Sequence, residues 1–214
     1  RAHPALAGGL LGERAQGVEL RQRVADGRDR GQDLHRTVAE GQEHRPLSLN
    51  GAGLHVNHKY GFGVVDADAA VRLAKTFTAG AIEKNFSSAV SSPGTAIPDN
   101  NATGISNAIT VNNSGVGHVE YVEAIVTITH PRSGDLTVTL EKTGGTHSVL
   151  HPQHRCIPDS HNTETCSDID QFIFGSTRHL DEPGDGVWTL KVKDGRASKT
   201  GSLVSWQLKL YGRP

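Results

Sequence analysis

Two cysteines are the most reactive side chains of this chain. Cys156 and Cys166 flank nine polar, turn-rich residues, a loop that one disulfide could close. A ring of this size would stabilise the fold by about 2–3 kcal/mol in the chain-entropy account, and a disulfide favours an oxidising compartment. Two free thiols are the alternative. A zinc-binding pair fits less well, because zinc sites usually space their cysteines about two to four residues apart and add further ligands.

The histidines nearest the cysteines could hold a metal ion, but they follow no recognised zinc spacing. They are His147, His151, His154 and His161. We therefore predict an exposed, solvated loop over THSVLHPQHRC and no metal site. Ser148 beside His147 is not a catalytic dyad, because neighbours on a strand point to opposite faces.

Aspartates recur in the loops of the second half of the chain, namely Asp159, Asp168, Asp170, Asp181, Asp185 and Asp194. Calcium takes six to eight oxygen ligands, often from such side chains. No DxDxDG loop is present. We favour the alternative in which each aspartate caps its own turn, so we predict no metal-binding or cofactor-binding residues.

Four segments around these residues alternate apolar and polar side chains, which indicates antiparallel strands with one buried face. The predicted inward residues are Val122, Ala124, Val126, Ile128, Leu136, Val138, Leu140, Trp188, Leu190, Val192, Val204, Trp206, Leu208 and Leu210. Glycine-containing turns separate the segments. Many short strands without intervening helices predict a mainly β fold, a jelly-roll β-sandwich with Trp188 and Trp206 in its core.

One helix is predicted before the strands. Asp66 suits its N-cap, and Val65, Ala69, Leu73 and Phe77 recur every four residues, so one face should pack against another element. Residues 1–48 differ in kind, because the first 46 residues hold eight Arg and no Lys, Ser, Asn, Ile, Phe, Tyr, Trp or Cys. We interpret residues 1–48 as atypical, whether disordered, diverged or mistranslated; a solvated Arg-rich helix is the alternative.

Two parts of the sequence resemble one protein family. NGAGLHVNHKYGFGVVDADAAVRLA resembles the C-terminal end of the catalytic domain in kexin-like members of the subtilisin family of serine proteases. THPRSGDLTVTLEKTGGTHSVL, DIDQFIFGSTRHLDEPGDGVWTLKVKD and GSLVSWQLKLYG resemble, in order and spacing, the P domain (Homo B domain) of proprotein convertases. The pattern includes an exposed Gly-Asp-Leu turn and two closing strands with tryptophan.

The resemblance implies a division of the chain. Residues 84–214 would be a P domain, a galactose-binding-like jelly roll that stabilises and regulates a catalytic domain in cis. Residues 49–83 would be the C-terminal remnant of the α/β subtilisin domain and a linker, with Tyr60 and Phe62 as possible interface residues. Full-length family members are calcium-dependent, cleave after basic residues and use an Asp, His, Ser triad.

The triad itself is not expected here. In this family the serine lies in a GTS stretch, and no GTS occurs in this chain. We therefore predict no catalytic residues and no peptidase activity for the chain alone, with calcium required only by a full-length protein. The chain also lacks a starting Met and a signal-peptide pattern, so we expect it to be a piece of a longer product.

Composition limits the remaining functions. A net charge of −1 gives no reason to expect nucleic acid as a partner, and no run of 18 apolar residues could span a membrane. We expect a secreted, extracellular or periplasmic protein, or one of the secretory pathway in a eukaryote. The alternative function is a free-standing jelly-roll module that binds carbohydrate or protein.

Overall fold

The computed structural model describes residues 48–57, 61–63, 66–77, 81–156 and 166–214. The chain divides into two compact units. The first includes Gly53–Ala79 and the residues up to Leu49, and the second comprises Asn50–Ala52 and Gly80–Pro214. We call the second the sandwich unit. Within the described ranges, no helix has both the length and the apolar character needed to cross a bilayer.

The described residues of the first unit form a hairpin and one helix. Strand β1 (Ser48–Leu49) pairs antiparallel with β2 (His55–Val56). Helix α1 (Ala67–Ala74) begins after Asp66, whose side chain accepts a hydrogen bond from the Ala69 N–H at 3.0 Å. This confirms the predicted N-cap.

The predicted apolar face of α1 is only partly described. No residue of α1 itself is buried. Leu73 on the helix is 47% exposed, and Phe77 just beyond it is 66% exposed. Val65 lies outside the described residues. The assignment of α1 to a subtilisin-type domain remains a prediction.

The described residues of the sandwich unit form two antiparallel sheets. Its strands are β3 (Lys84–Ser87), β4 (Thr95–Ile97), β5 (Asn101–Val111), β6 (His118–Thr129), β7 (Leu136–Lys142), β8 (His147–His151), β9 (Ile169–Ser176), β10 (Gly186–Asp194) and β11 (Gly201–Arg213). One sheet has the order β5-β10-β7-β8, and the other has the order β3-β11-β6-β9, with β4 also paired to β11. This confirms the predicted β-sandwich.

The core lies between the sheets and follows the alternation of the sequence. Val122, Val138, Leu190 and Leu208 are fully buried, each from a different strand. Because a strand turns successive side chains to opposite faces, every second residue of these strands enters the core. Burying side chains of this size stabilises the fold by about 1.5–3 kcal/mol each relative to exposure.

Strand β11 departs from the simple alternation. The register shifts between Leu203 and Ser205, so Leu203 is fully buried and Val204 is 37% exposed. The expectation that Val204 points inward was therefore wrong. A bulge inserts one extra residue and reverses the faces on one side of it, and alternation in the sequence does not show where this happens.

Two predicted exposed segments are also placed differently. The Gly-Asp-Leu turn is a short 3-10 turn at Ser133–Asp135, in which Gly134 and Asp135 are buried. His147–His151, expected in a loop, forms strand β8 beside β7. Both expectations were wrong. Asp135 is buried beside the guanidinium groups of Arg132 and Arg196, and backbone pairing with β7 holds His147–His151 in the sheet.

Candidate functional site

The residues that the sequence singled out are the two cysteines, the pair Tyr60 and Phe62, and the two tryptophans. Cys156 and Cys166 are joined by a disulfide, and the Cys156 side chain is buried. A Cβ atom on Gly134 would lie 2.9 Å from the Cys156 Sγ and 3.1 Å from the Cys166 Sγ. Only glycine fits there without displacing the disulfide.

Phe62 is partly buried within the first unit, and Tyr60 lies outside the described residues, so their role at an interface remains a prediction.

The two tryptophans occupy the core of the sandwich. Trp188 is fully buried and Trp206 is 1% exposed. Trp188 Nε1 donates to the Gly184 carbonyl at 2.9 Å, and Trp206 Nε1 donates to Asn107 Oδ1 at 2.7 Å. Both indole N–H groups therefore keep a hydrogen bond while their rings leave water, as a buried Trp requires.

A buried carboxylate, Glu182, forms the centre of a polar cluster in the sandwich unit. Its Oε1 accepts hydrogen bonds from the Gly51 N–H at 2.8 Å and from the Thr146 hydroxyl. Its Oε2 accepts from His179 Nδ1 at 3.2 Å. We call Gly51, Thr146, His179 and Glu182 the Glu182 cluster. It joins three segments that are distant in the sequence.

Two glycines let the chain approach this carboxylate. A Cβ atom on Gly51 would lie 2.6 Å from the Gly145 Cα, and one on Gly145 would lie 2.6 Å from Glu182 Oε2. A side chain at Gly51 would have to move the backbone, and a side chain at Gly145 would displace the Glu182 carboxylate. Asn50, next to Gly51, donates from Nδ2 to the Leu180 carbonyl at 2.8 Å. The Asn50–Ala52 segment is thereby fastened to the sandwich, whereas the sequence division assigned it to residues 49–83.

The electrostatics of the cluster favour the ionised carboxylate. Burial by itself would raise the pKa of Glu182, but the hydrogen bonds from His179, Thr146 and Gly51 outweigh it and lower the pKa of Glu182. The His179 ring also packs on Trp188, with centroids 4.8 Å apart. The ionised Glu182 side chain thus holds the segments of Gly51, Thr146 and His179 together through buried hydrogen bonds.

A second buried pair joins His130 and Asp194, both hidden from solvent. The Arg132 N–H donates to His130 Nδ1 at 3.1 Å, so Nδ1 carries no proton. His130 Nε2 must then carry the proton and donate to Asp194 Oδ2 at 3.3 Å. This pair fixes the THPRSGD segment against the end of β10 and is closed to a substrate.

Four aspartates that could have offered calcium ligands accept hydrogen bonds from other groups of the chain. The expectation that each would cap its own turn was wrong for Asp168 and Asp185, whose donors are distant in the sequence. Asp168 accepts from the His130 N–H, and Asp181 accepts from Arg213 at 2.6 Å. Asp185 accepts from the Ser114 hydroxyl and from two backbone N–H groups, which lowers the pKa of Asp185. Asp194 accepts the hydrogen bond from His130 Nε2. Asp159 and His161 lie outside the described residues.

The Ser148 and His147 side chains are separated, as neighbours on a strand should be. Ser148 is buried and shares a 2.7 Å hydrogen bond with Ser176, whereas His147 is exposed and pairs with Glu141 at 3.0 Å. Sequence reasoning missed the Glu182 cluster and the His130–Asp194 pair. The signal that the sequence offered was that the residues of both groups lie within the family-like segments.

Comparisons with known proteins agree with this fold. Residues 119–210 match the family described as proprotein convertase P-domain. Neuroendocrine convertase 2 of Mus musculus is 31% identical over 169 residues, which cover 76% of this chain and 25% of that protein. Proprotein convertase subtilisin/kexin type 6 of Rattus norvegicus is 33% identical over 173 residues, which cover 77% of this chain and 18% of that protein.

A solved structure shares the architecture. The crystal structure of a serine protease of Aeromonas sobria matches 77% of this chain and 33% of that one, with a TM-score of 0.65 at 22% identity. The fold and these matches define the class of the sandwich unit, which is a P domain. Through it the chain belongs to the kexin-like proprotein convertase family of the subtilisin type. It spans about a quarter of the length of the first curated relatives it matches.

Proposed function

We propose that the sandwich unit serves as the P domain of a subtilisin-type serine endopeptidase, where it stabilises and regulates a catalytic domain carried in the same polypeptide. The observation that carries this proposal is the match of residues 119–210 to the P-domain family. The relatives, which are named as convertases, contain about three quarters of their length outside the matched region. That remaining length has room for a catalytic domain.

The buried polar clusters support a stabilising role. The Glu182 cluster fastens the Asn50–Ala52 segment, which precedes α1 in the chain, to the sandwich. A domain that is covalently continuous with that segment would therefore be linked to the folded sandwich. A domain that binds only the folded form of its neighbour shifts the unfolding equilibrium of that neighbour toward the folded state.

The activity proposed for the whole protein is calcium-dependent cleavage after basic residues. The calcium ions would belong to the catalytic domain, since four of the loop aspartates in the P domain are bound to its own backbone, His130 or Arg213. The 214-residue chain by itself would cleave no peptide. Secretion is part of the same proposal, because the Cys156–Cys166 disulfide suits an oxidising compartment.

Truncation of the native polypeptide tests this proposal. A stop codon after residue 83 would remove the P domain and leave the preceding sequence intact. We expect loss of soluble, active protease, measured with a fluorogenic peptide that carries basic residues and checked with a serine-reactive inhibitor. The matched control is Glu120→Gln on the surface of the sandwich, which should keep full activity. A truncated protein with unchanged activity and unfolding temperature would overturn the proposal.

The alternative of a carbohydrate-binding module finds less support. Sugar sites stack their ligands on exposed aromatic rings, and Trp188 and Trp206 are both buried. Calorimetric titration of the chain with common sugars should give no heat of binding. A saturable signal would favour the binding module over the P-domain role.

A further inference from the structure

Two histidines at the end of strand β8 face each other. In the His-Pro-Gln-His segment, the Nε2 atoms of His151 and His154 lie 3.2 Å apart. Their ring centroids are 4.9 Å apart, and the ring planes are inclined at 52°. His151 is partly buried, and His154 is exposed to solvent. The pair is therefore open to small ions on one side.

The opposite ring nitrogens fix the tautomer that each neutral ring adopts. His151 Nδ1 lies 3.1 Å from the Leu136 carbonyl, and His154 Nδ1 lies 2.9 Å from the Arg155 carbonyl. A carbonyl oxygen only accepts hydrogen bonds, so each Nδ1 must carry a proton. Both Nε2 atoms of the neutral rings then present lone pairs to the same small space. Histidines that bind metals commonly donate their other N–H to a carbonyl in this way.

The separation of the two atoms suits a metal ion between them. With a zinc–nitrogen distance of about 2.05 Å, two nitrogens 3.2 Å apart subtend an angle of about 100° at the ion, close to the tetrahedral value. Such a chelate would place the ring centroids about 5 Å apart, whereas a linear N–H···N hydrogen bond would place them about 5.6 Å apart. The observed 4.9 Å agrees with the chelate.

The protein holds both ligands in place through one neighbouring segment. The Leu136 carbonyl accepts a hydrogen bond from the ring Nδ1–H of His151. The Gly134 carbonyl accepts one from the backbone N–H of His154 at 2.9 Å. The His151 ring also meets Phe174 edge-on, with centroids 6.0 Å apart. Fixing the ring orientation before binding reduces the entropy that an ion must overcome.

We propose that His151 and His154 form a binding site for a divalent transition-metal ion of the zinc class, with Nε2 of each ring as the ligand. Imidazole nitrogen suits zinc, copper and nickel rather than calcium or magnesium. Two protein ligands leave two tetrahedral positions for water or for a group of another molecule. No group of three or more His, Cys, Asp or Glu side chains with metal-binding geometry occurs in the described part of the chain. Among the described residues, the proposed protein ligands are therefore the two histidines.

Zinc titration of the full, untagged chain tests this site. Calorimetry should show one step of about one zinc per chain, and His154→Gln should weaken that step at least about tenfold, since even outer-shell changes cost about 10–100-fold in affinity. The matched control is His147→Gln, an exposed histidine at the start of strand β8 whose ring pairs with Glu141. It should leave the step unchanged. Near-ultraviolet circular dichroism verifies that each variant is folded.

The double variant of His151→Gln and His154→Gln gives a second, independent readout. If both rings bind one ion, the loss of binding free energy in the double variant should be smaller than the sum of the two single losses, because the first substitution already removes the chelate. Equal zinc affinity in the wild-type chain and in His154→Gln would overturn the proposal. So would nitrogen NMR that shows a proton on the Nε2 atom of either ring at saturating zinc.

Discussion

Replacing Glu182 by glutamine probes how the Asn50–Ala52 segment is held to the P domain. Glu182→Gln preserves the shape of the side chain, and its carbonyl oxygen can still accept from the Gly51 N–H and the Thr146 hydroxyl. Its amide group, however, replaces the Oε2 that faces His179. The substitution therefore removes the charge and leaves the packing nearly unchanged.

The expected loss follows from the three hydrogen bonds of the cluster. Hydrogen bonds to a charged group contribute about 1.5–3 kcal/mol each, and neutral ones contribute about 0.5–1.5 kcal/mol. Three bonds that each lose about 1 kcal/mol would sum to about 3 kcal/mol. Relief from burying a charge offsets part of this sum. We expect Glu182→Gln to lower the free energy of unfolding by about 2–3 kcal/mol.

Urea denaturation followed by tryptophan fluorescence measures this loss, and amide hydrogen exchange at Gly51 locates it. The exchange at Gly51 should accelerate more than exchange in the strands, because its N–H is bonded to the substituted side chain. Glu120→Gln is the matched control, since Glu120 is half-exposed and pairs with Arg213 only at 3.6 Å; its effect should stay within about 0.5 kcal/mol. Equal unfolding midpoints and equal exchange at Gly51 in the two variants would refute the reasoning.

Three further outcomes are expected. Trp188→Ala should cost about 3–5 kcal/mol of unfolding free energy because it empties a core site, whereas Val204→Ala on the partly exposed bulge should cost less than about 1 kcal/mol in the same urea assay. Replacing Cys156 and Cys166 together by serine should cost about 2–3 kcal/mol, and a reducing agent should then have no further effect on the unfolding temperature. Folding lowers the pKa of Glu182. The ionised carboxylate therefore contributes its full stabilisation above the ordinary pKa of 4.5 and loses it as the pH falls through the lowered pKa of the folded state. The free energy of unfolding, measured at decreasing pH, should fall more steeply in the wild-type chain than in Glu182→Gln.

Strand periodicity made the sandwich predictable from the sequence. Val138 and Leu190 alternate with polar neighbours, and both are fully buried in the structure. The signal is local, because each strand reports its own buried face. The bulge at Leu203–Ser205 escaped it, since an extra residue changes the faces without changing the composition.

The buried polar clusters were not predictable from local patterns. Glu182 lies in LDEPGDG, which has the composition of an exposed turn. Its partner Gly51 is 131 positions away in the chain. Contacts of that range depend on the three-dimensional fold, and no periodicity records them. The resemblance to a known family pointed to the right domain, but it gave no geometry for this cluster.

The most direct test of the central claim is to identify the polypeptide that carries residues 84–214 in its native source. An antibody against the P domain would isolate it, and a fluorophosphonate probe would label an active serine nucleophile. The P-domain role predicts that the captured protein is labelled and contains a subtilisin-type catalytic domain, while the purified 214-residue chain is unlabelled. A captured protein with no catalytic domain and no labelling, or labelling of the 214-residue chain itself, would contradict the account.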